Sequence, residues 1–163
     1  MRLFNFIYHY EKIIFDSLVT QNNNSNPFNK HLWIKKATGL GISELMLRFM
    51  AWLCLKDNSL SGSQMCIVTG PRIDLAIALI DRMKKLLTCN SSKGLVAFDT
   101  FPSHHLDAMR GLPNVSFILL DGADFFPLGQ QQDARDVSER YIAKSLYCNG
   151  INVLMHLMVC LSE

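Results

Sequence analysis

The chain has 163 residues, 49% of them hydrophobic and 18% charged, and this composition favours one globular domain with a substantial core over a disordered chain. Its net charge of +2 is too small to require a nucleic-acid or membrane partner and too small to exclude either. The five cysteines are an odd number without C-x-x-C spacing, which favours reduced thiols in a cytoplasmic protein over a disulfide framework or a zinc site.

The first thirty residues predict a helix and a linker. Residues 1–20 have the pattern of an amphipathic helix, and the polar, proline-containing stretch QNNNSNPFNK (21–30) predicts a linker. The richest apolar run of the chain, LMLRFMAWLCL (45–55), contains Arg48 and is shorter than the ~18 residues that a membrane-spanning helix needs. We therefore expect no membrane partner.

Strands and helices then alternate along the chain. HLWIKKA (31–37) predicts a short strand, residues 43–56 predict a mostly buried helix, and QMCIVT (64–69) predicts a strand covered on both faces. The next helix is predicted to have Thr69 as its cap and Pro71 in its first turn. Its apolar positions with helical spacing are Ile73, Ile77, Ile80, Met83 and Leu87.

The second half of the chain continues this alternation. GLVAF (94–98) and VSFILL (115–120) predict strands, and INVLMHLMV (151–159) is a fifth apolar run. ARDVSERYIAKS (134–145) predicts a helix with one apolar face, which is formed by Ala134, Val137 and Tyr141. Strands that alternate with helices predict an α/β fold with a mainly parallel central sheet. In such folds ligands bind at the carboxyl ends of the strands.

The stretch WIKKATGLGIS (33–43) contains the first chemically distinctive strand end. Its glycines allow backbone N–H groups to turn inward, and the helix that follows adds its N-terminal dipole, so the stretch suits a phosphate group. Ser43 has the position of the hydroxyl that binds Mg²⁺ in a P-loop. The residue before it is Ile42, however, where a P-loop normally has its lysine.

The stretch VSFILLDGADFFP (115–127) contains the second distinctive strand end. Its apolar strand leads into Asp121, whose carboxylate could hold the metal of a Mg²⁺–nucleotide. A Gly-x-Gly-x-Ser turn alone is ordinary loop chemistry, and an aspartate at a strand end alone is usually a cap or a turn former. The two signals together, about eighty residues apart in a chain of successive βα units, predict a nucleotide-binding site.

These stretches also carry a family resemblance. KKATGLGIS (35–43) and RGLPNVSFILLDGADFF (110–126) resemble the ATPase domain of terminase large subunits, the motors that package viral DNA. The resemblance extends over roughly residues 31–145. It implies a three-layer P-loop NTPase core of the RecA/ASCE-like kind with a mainly parallel sheet, in which the C-terminal strand separates the P-loop strand from the acidic strand. It also implies ATP and Mg²⁺ as ligands.

The resemblance further implies where the missing lysine stands. In some terminases the P-loop lysine is at the head of the loop, in a K-x-x-x-x-G-x-S arrangement. That arrangement fits Lys36-Ala37-Thr38-Gly39-Leu40-Gly41-Ile42-Ser43 in this sequence. Lys35, one residue out of register, is the alternative.

Other residues acquire expected roles from the same resemblance. Arg110, in an Arg-Gly pair, would be a finger that reaches the nucleotide of a neighbouring subunit, and the alternative is a surface turn residue. Tyr8, Tyr10 or Phe15, upstream of the loop, could stack on adenine. The expected partners are double-stranded DNA, a homo-oligomeric ring, and a portal protein or small terminase subunit. The expected location is the host cytoplasm if the protein is viral.

The acidic motif departs from the family pattern. Terminases have Asp-Glu there: the aspartate holds Mg²⁺ together with the P-loop hydroxyl, and the glutamate activates the attacking water. This chain has Asp121 and Ser43 for the metal, but Gly122 is at the position of the glutamate. Loss of a general base typically costs ~10²–10⁴ in rate. Asp124 could substitute through a water or could simply brace the turn. We therefore expect Mg–ATP binding with weak or absent hydrolysis.

The boundaries complete this set of expectations. Residues 1–30 are expected to form the N-terminal helix and linker, and residues 31–163 a truncated ATPase-like core that diverges from the family from about residue 146. No counterpart of the family's nuclease domain is expected. The alternative function is a non-catalytic nucleotide-binding or structural remnant of a viral gene. A helicase-like ATPase would need a second RecA-like domain, for which 163 residues leave no room.

Overall fold

A computed structural model of the chain describes residues 8–19, 31–37, 39–56, 60–88, 96–145 and 153–159. Two short 3-10 helices, Leu106–Gly111 and Ala123–Phe125, follow the third and fourth strands. The main elements occur in the order α1 (His9–Val19), β1 (His31–Lys36), α2 (Ile42–Lys56), β2 (Gln64–Thr69), α3 (Ile73–Thr88), β3 (Ala97–Pro102), β4 (Val115–Asp121), α4 (Gln130–Ser145) and β5 (Val153–Val159).

The strands form one parallel sheet in the order β1-β5-β4-β2-β3. The strand from the C-terminal part of the sequence, β5, therefore lies between β1 and β4, which confirms the predicted separation of the P-loop strand from the acidic strand. Through the register of β5, Asp121 is level with Leu157, and Leu157 is level with Ile34. The end of β4 thus lies close to the end of β1, and both point toward the same edge of the sheet.

Helices cover both faces of the sheet, as expected for a three-layer fold. Side chains alternate along each buried strand, so Met65 and Ile67 of β2 face the layer of α1, α2 and α3, whereas Cys66 and Val68 face the layer of α4. All four of these side chains are fully buried. The apolar run of β2 was therefore correctly predicted as a strand covered on both faces.

The N-terminal helix packs on the helix that follows the glycine loop. The ring of Phe15 in α1 makes edge-on contacts with Phe49 and Trp52 of α2, at centroid distances of 5.8 and 5.6 Å. Helix α2 is largely buried, as predicted, and its polar stripe includes an ion pair between Glu44 and Arg48 one helical turn apart. Among the described residues no helix is both long and apolar enough to cross a membrane.

The start of α3 differs from the prediction. Thr69 is the last residue of β2, where its carbonyl accepts a hydrogen bond from the Ser103 N–H at 2.9 Å, and the helix begins four residues later at Ile73. Pro71 therefore precedes the helix instead of standing in its first turn. The parallel ladder holds Thr69 in the strand, a long-range constraint that local capping preferences do not include.

The predicted apolar face of α3 is only half correct. Ile80, Met83 and Leu87 are buried, but Ile73 and Ile77 are 49% and 48% exposed, and Ala76 occupies the core position in the first turns. The face of α3 that packs in the core is therefore rotated about the helix axis, away from the face that carries Ile73 and Ile77.

Two other boundaries were wrong. The third strand was predicted over residues 94–98 but runs from Ala97 to Pro102, because it is an edge strand whose half-exposed side chains include polar residues. Helix α4 begins at Gln130, four residues before its predicted start. Its predicted apolar face is confirmed, with Ala134, Val137 and Tyr141 all buried.

Candidate nucleotide-binding site

The glycine loop connects β1 to α2 at the carboxyl edge of the sheet. Gly39 and Gly41 have φ values of 84° and 71°, a backbone region that other residues rarely adopt. The carbonyl of Gly41 accepts a hydrogen bond from the Leu45 N–H at 3.0 Å, and this is the first bond of the helix. The backbone N–H groups of the first helical turn, before Leu45, are therefore available to a ligand at the loop.

The loop also explains why the usual lysine position is apolar. Ile42 is only 3% exposed and packs in the core between the sheet and helices α1 to α3. A side chain at this position faces the interior and not the loop. Lys36 is the last residue of β1, at the head of the loop, and Lys35 beside it has an exposed side chain. The choice between the two lysines stays a prediction, and Thr38 lies outside the described residues.

Two oxygen-bearing side chains meet below the loop. The hydroxyl of Ser43 donates a hydrogen bond to Oδ1 of Asp121 at 2.8 Å, although the two residues are 78 positions apart in the sequence. Both side chains are partly buried. A hydroxyl and a carboxylate oxygen are the kind of ligands that Mg²⁺ takes alongside phosphate oxygens and water. The two residues therefore fit the metal of a Mg²⁺–nucleotide, as the sequence suggested.

A cavity of about 530 Å³ opens beside this pair. Its volume lies within the range of small-molecule sites, ~300–1,000 Å³. Its walls come from the loop after β2, from one face of α3 and from the turn after β4. The described residues that line it are Ser43, Thr69, Gly70, Pro71, Arg72, Leu75, Ala78, Leu79, Arg82, Asp121, Gly122 and Phe125.

The position of the missing glutamate lies in this cavity wall. Gly122 has φ 68° and ψ 38°, in the left-handed region, and begins the short 3-10 helix after β4. A Cβ added there would come within 3.5 Å of Cδ2 of Phe125, which lines the same cavity. A longer side chain at position 122 would therefore extend from the backbone at the cavity wall.

The turn after β4 does not bring a second carboxylate to the same place. Asp124 is partly buried in the first turn of the 3-10 helix and is not among the residues that line the cavity. Of the described residues, only Asp121 contributes a carboxylate to its wall. A general base must lie within hydrogen-bond reach of the attacking water, and the described part of the cavity wall has no carboxylate besides Asp121 for that role.

Arg110 lies elsewhere on the molecule. It belongs to the 3-10 helix that follows β3, where its Nε is 2.9 Å from Oδ1 of Asp107. Its side chain is 53% exposed, and it does not line the cavity that contains Ser43 and Asp121. The role of Arg110 as a finger stays a prediction.

One of the three candidate aromatic residues contacts the glycine loop, and a second stacks on the first. The hydroxyl of Tyr10 donates a hydrogen bond to the Leu40 carbonyl at 2.7 Å. Tyr8 stacks on Tyr10 with a centroid distance of 5.3 Å and an interplanar angle of 7°, and it is 55% exposed. Phe15 packs instead against aromatic rings of α2. The tyrosines are therefore the better candidates for contact with a base.

Sequence reasoning missed the part of the site formed by the loop after β2 and by α3. Thr69 and Arg72 follow a buried strand, and Leu75 and Arg82 lie one and three helical turns further on. The signal was available, because the carboxyl end of any parallel strand is a candidate site. The missing information was that β2 is the immediate neighbour of β4.

Comparisons with known proteins agree with this architecture. The sequence matches no family model and no curated protein. The structure is similar to that of the Thermus phage P74-26 large terminase ATPase domain, with a TM-score of 0.54 and 14% sequence identity. The similarity covers 82% of this chain and 61% of that chain, so this chain spans less than two thirds of its length. The likeness confirms the predicted fold: a three-layer α/β core of the kind found in terminase ATPase domains.

Proposed function

We propose that this chain is a terminase-like ATP-binding domain that binds Mg–ATP and hydrolyses it weakly or not at all. The observation that carries this proposal is the 2.8 Å hydrogen bond from Ser43 to Asp121 at the base of a glycine loop. Metal-binding oxygens and a phosphate-binding loop come together only when β1 and β4 are correctly arranged in the sheet. The likeness to a phage terminase ATPase domain supports the assignment.

Each part of the site has a distinct role in this proposal. The backbone N–H groups at the start of α2 bind phosphate oxygens, and Lys36 at the head of the loop supplies the cation that Ile42 cannot. Ser43 and Asp121 hold Mg²⁺, which supplies charge neutralisation between phosphate groups. The ring of Tyr8 offers an exposed face to the base, and Tyr10 fixes the loop through the Leu40 carbonyl.

The weak hydrolysis in this proposal follows from position 122. A glycine can neither accept a proton nor orient a water molecule, and no other described carboxylate besides Asp121 lines the cavity. The same observation favours the second candidate function, a non-catalytic nucleotide-binding or structural remnant of a viral gene. The two candidates differ in whether Mg–ATP binding is retained.

The partners belong to the proposal as well. A ring of identical subunits would allow the exposed Arg110 to reach a nucleotide bound by its neighbour, where an arginine stabilises the charge on the transferred phosphoryl group. Double-stranded DNA, and a portal protein or small terminase subunit, are the further partners that such a motor domain would have.

Equilibrium binding of Mg–ATP to the purified chain tests the proposal. We expect the parent chain to bind Mg–ATP, Lys36→Ala to bind it at least about tenfold more weakly, and the matched control Lys35→Ala to bind like the parent. If Lys35→Ala is the variant that loses binding, the lysine assignment moves by one residue. If the folded parent binds neither Mg–ATP nor Mg–ADP, the chain is a non-binding remnant.

A further inference from the structure

The cavity beside Ser43 and Asp121 contains two arginines that no P-loop motif includes. Arg72 is in the loop after β2, and Arg82 lies in the third turn of α3. Both are exposed, and both line the cavity on the side formed by α3 and the loop before it. Leu75, on the α3 face between them, makes the rest of this wall largely apolar.

The sheet order indicates which part of a nucleotide would meet these arginines. Across the carboxyl edge, the groups occur in the order glycine loop after β1, Asp121 at the end of β4, and Arg72 after β2. A phosphate chain that starts at the loop and passes the metal-binding pair must continue toward the end of β2. Its last phosphate is therefore the one nearest the arginine side of the cavity.

The charges in the cavity favour an anion at this place. Among the described lining residues, Arg72 and Arg82 are positive and Asp121 is negative. If Mg²⁺ neutralises the carboxylate of Asp121, the remaining side-chain charges of the described lining are the two positive guanidinium groups, and these attract an anion. A planar guanidinium with several N–H donors is well suited to phosphate oxygens.

The two arginines differ in their present partners. Arg72 makes a two-point ion pair with Asp74, through Nε at 3.2 Å and Nη2 at 2.5 Å, and both side chains are more than half exposed. Arg82 makes no ion pair within the part of the chain that the structure describes. Exposed ion pairs contribute little free energy, so the loss of the Arg72–Asp74 pair on phosphate binding would reduce the binding free energy only slightly.

We propose that Arg72 and Arg82 form a cationic wall that binds the terminal phosphate, so that the cavity prefers a nucleoside triphosphate to a diphosphate. This inference rests on the proposed nucleotide site and adds a determinant of its selectivity. The wall belongs to the same chain as the glycine loop, unlike the proposed contact of Arg110 with a neighbouring subunit. It acts on binding and does not require hydrolysis.

Calorimetric titration with two ligands tests the wall: Mg²⁺ with the non-hydrolysable imido analogue of ATP, and Mg–ADP. The chains compared are the parent, Arg72→Ala, Arg82→Ala, the charge-retaining Arg82→Lys, and Lys84→Ala as the control. Lys84 is an exposed residue of the same helix that does not line the cavity. Matching thermal unfolding curves establish that every variant is folded.

We expect the parent to prefer the triphosphate analogue by roughly tenfold or more, the effect of one charge-assisted contact. Each alanine variant at an arginine should lose part of that preference while its affinity for Mg–ADP changes less than about twofold. Arg82→Lys should retain most of the preference, and Lys84→Ala should behave like the parent.

Three results would overturn the inference while leaving the proposed function intact. They are a parent that binds both ligands equally, arginine variants that weaken both ligands equally, and arginine variants that change neither. A folded parent that binds neither ligand is a different failure, because it removes the nucleotide site itself.

Discussion

The hydroxyl of Tyr10 donates a 2.7 Å hydrogen bond to the carbonyl of Leu40, and this contact ties the N-terminal helix to the glycine loop. The loop has two glycines with positive φ and thus many accessible conformations when free. A tether at its centre reduces those conformations before any ligand binds. Preorganisation of this kind improves affinity because less ordering is needed upon binding.

Removal of this tether should weaken nucleotide binding modestly. Tyr10→Phe keeps the ring that stacks on Tyr8 but deletes the donor, and a hydrogen bond of this kind contributes about 1 kcal/mol. We expect Mg–ATP and Mg–ADP to lose affinity by the same factor of roughly five, measured by calorimetry. An effect on one nucleotide alone would contradict a role in loop ordering.

Tyr8 should affect the base and not the phosphates. Tyr8→Ala removes an exposed ring that stacks on Tyr10, and stacking of a base on an aromatic side chain is worth ~1–3 kcal/mol. We expect weaker binding of ATP and ADP but unchanged binding of inorganic triphosphate, which has no base. Equal loss for all three ligands would assign Tyr8 to the fold of the loop. His9→Ala, an exposed neighbour, is the control.

Asp121 should make nucleotide binding depend on metal. Its carboxylate accepts a hydrogen bond from the Ser43 hydroxyl. We assign the hydroxyl oxygen of Ser43 and the carboxylate of Asp121 to Mg²⁺ as ligands. Asp121→Asn should lower ATP affinity about tenfold or more in the presence of Mg²⁺ and hardly at all in EDTA. Parallel titrations under the two conditions measure the difference. Equal losses in both would show that the residue supports the fold and not the metal.

Position 122 should control turnover. The backbone there is left-handed, so any residue with a side chain costs about 1–2 kcal/mol of stability, and the side chain would emerge beside Phe125 at the cavity. Gly122→Glu should therefore unfold more easily than the parent yet hydrolyse ATP faster. Gly122→Gln carries the same strain without a base and is the matched control. Steady-state phosphate release distinguishes the two, and equal rates would disprove the assignment of the missing base.

The two described cysteines should be unreactive in the folded chain. Burial raises the pKa of both the Cys54 and the Cys66 thiols to about 12. Since the thiolate is the reactive form, iodoacetamide at pH 8 should modify them only after unfolding. The unfolded chain releases these thiol protons at a lower pH than the folded chain does. The raised pKa values therefore contribute fully to the free energy of unfolding below about pH 9, and this contribution declines as the pH rises toward 12. Peptide mass spectrometry with and without urea measures the protection.

Much of the fold was predictable because its strands are locally distinctive. The run QMCIVT and the run that ends in Asp121 are apolar on both faces, and only a covered parallel sheet accommodates such runs. The edge strand β3 was misplaced because its polar residues, Asp99 and Thr100, remain half-exposed and interrupt the apolar pattern. Sequence periodicity reports burial, and an edge strand is buried too little to produce a clear signal.

The site was predictable only where a motif marks it. The pairing of Ser43 with Asp121 followed from two strand ends that each have a recognisable sequence. Arg72 and Arg82 have no such mark, since their place in the cavity depends on which strand lies next to β4. The left-handed backbone at Gly122 was not predicted either, because the comparison with the Asp-Glu motif shows only that a glutamate side chain is missing and does not show the backbone conformation.

The central position of β5 has a consequence for the order in which the chain folds. Strands β1 and β4 do not pair with each other, and each instead pairs with β5, which comes last among the described strands in the sequence. A nascent chain that ends before residue 153 can pair β2 with β3 and β4, but it cannot join β1 to them. Before β5 is made, β4 is held near the glycine loop only through the packing of α2, for example by the contact of Phe49 with Phe117, and not through the sheet. The edge of the sheet that carries the candidate site is therefore complete only once β5 is present.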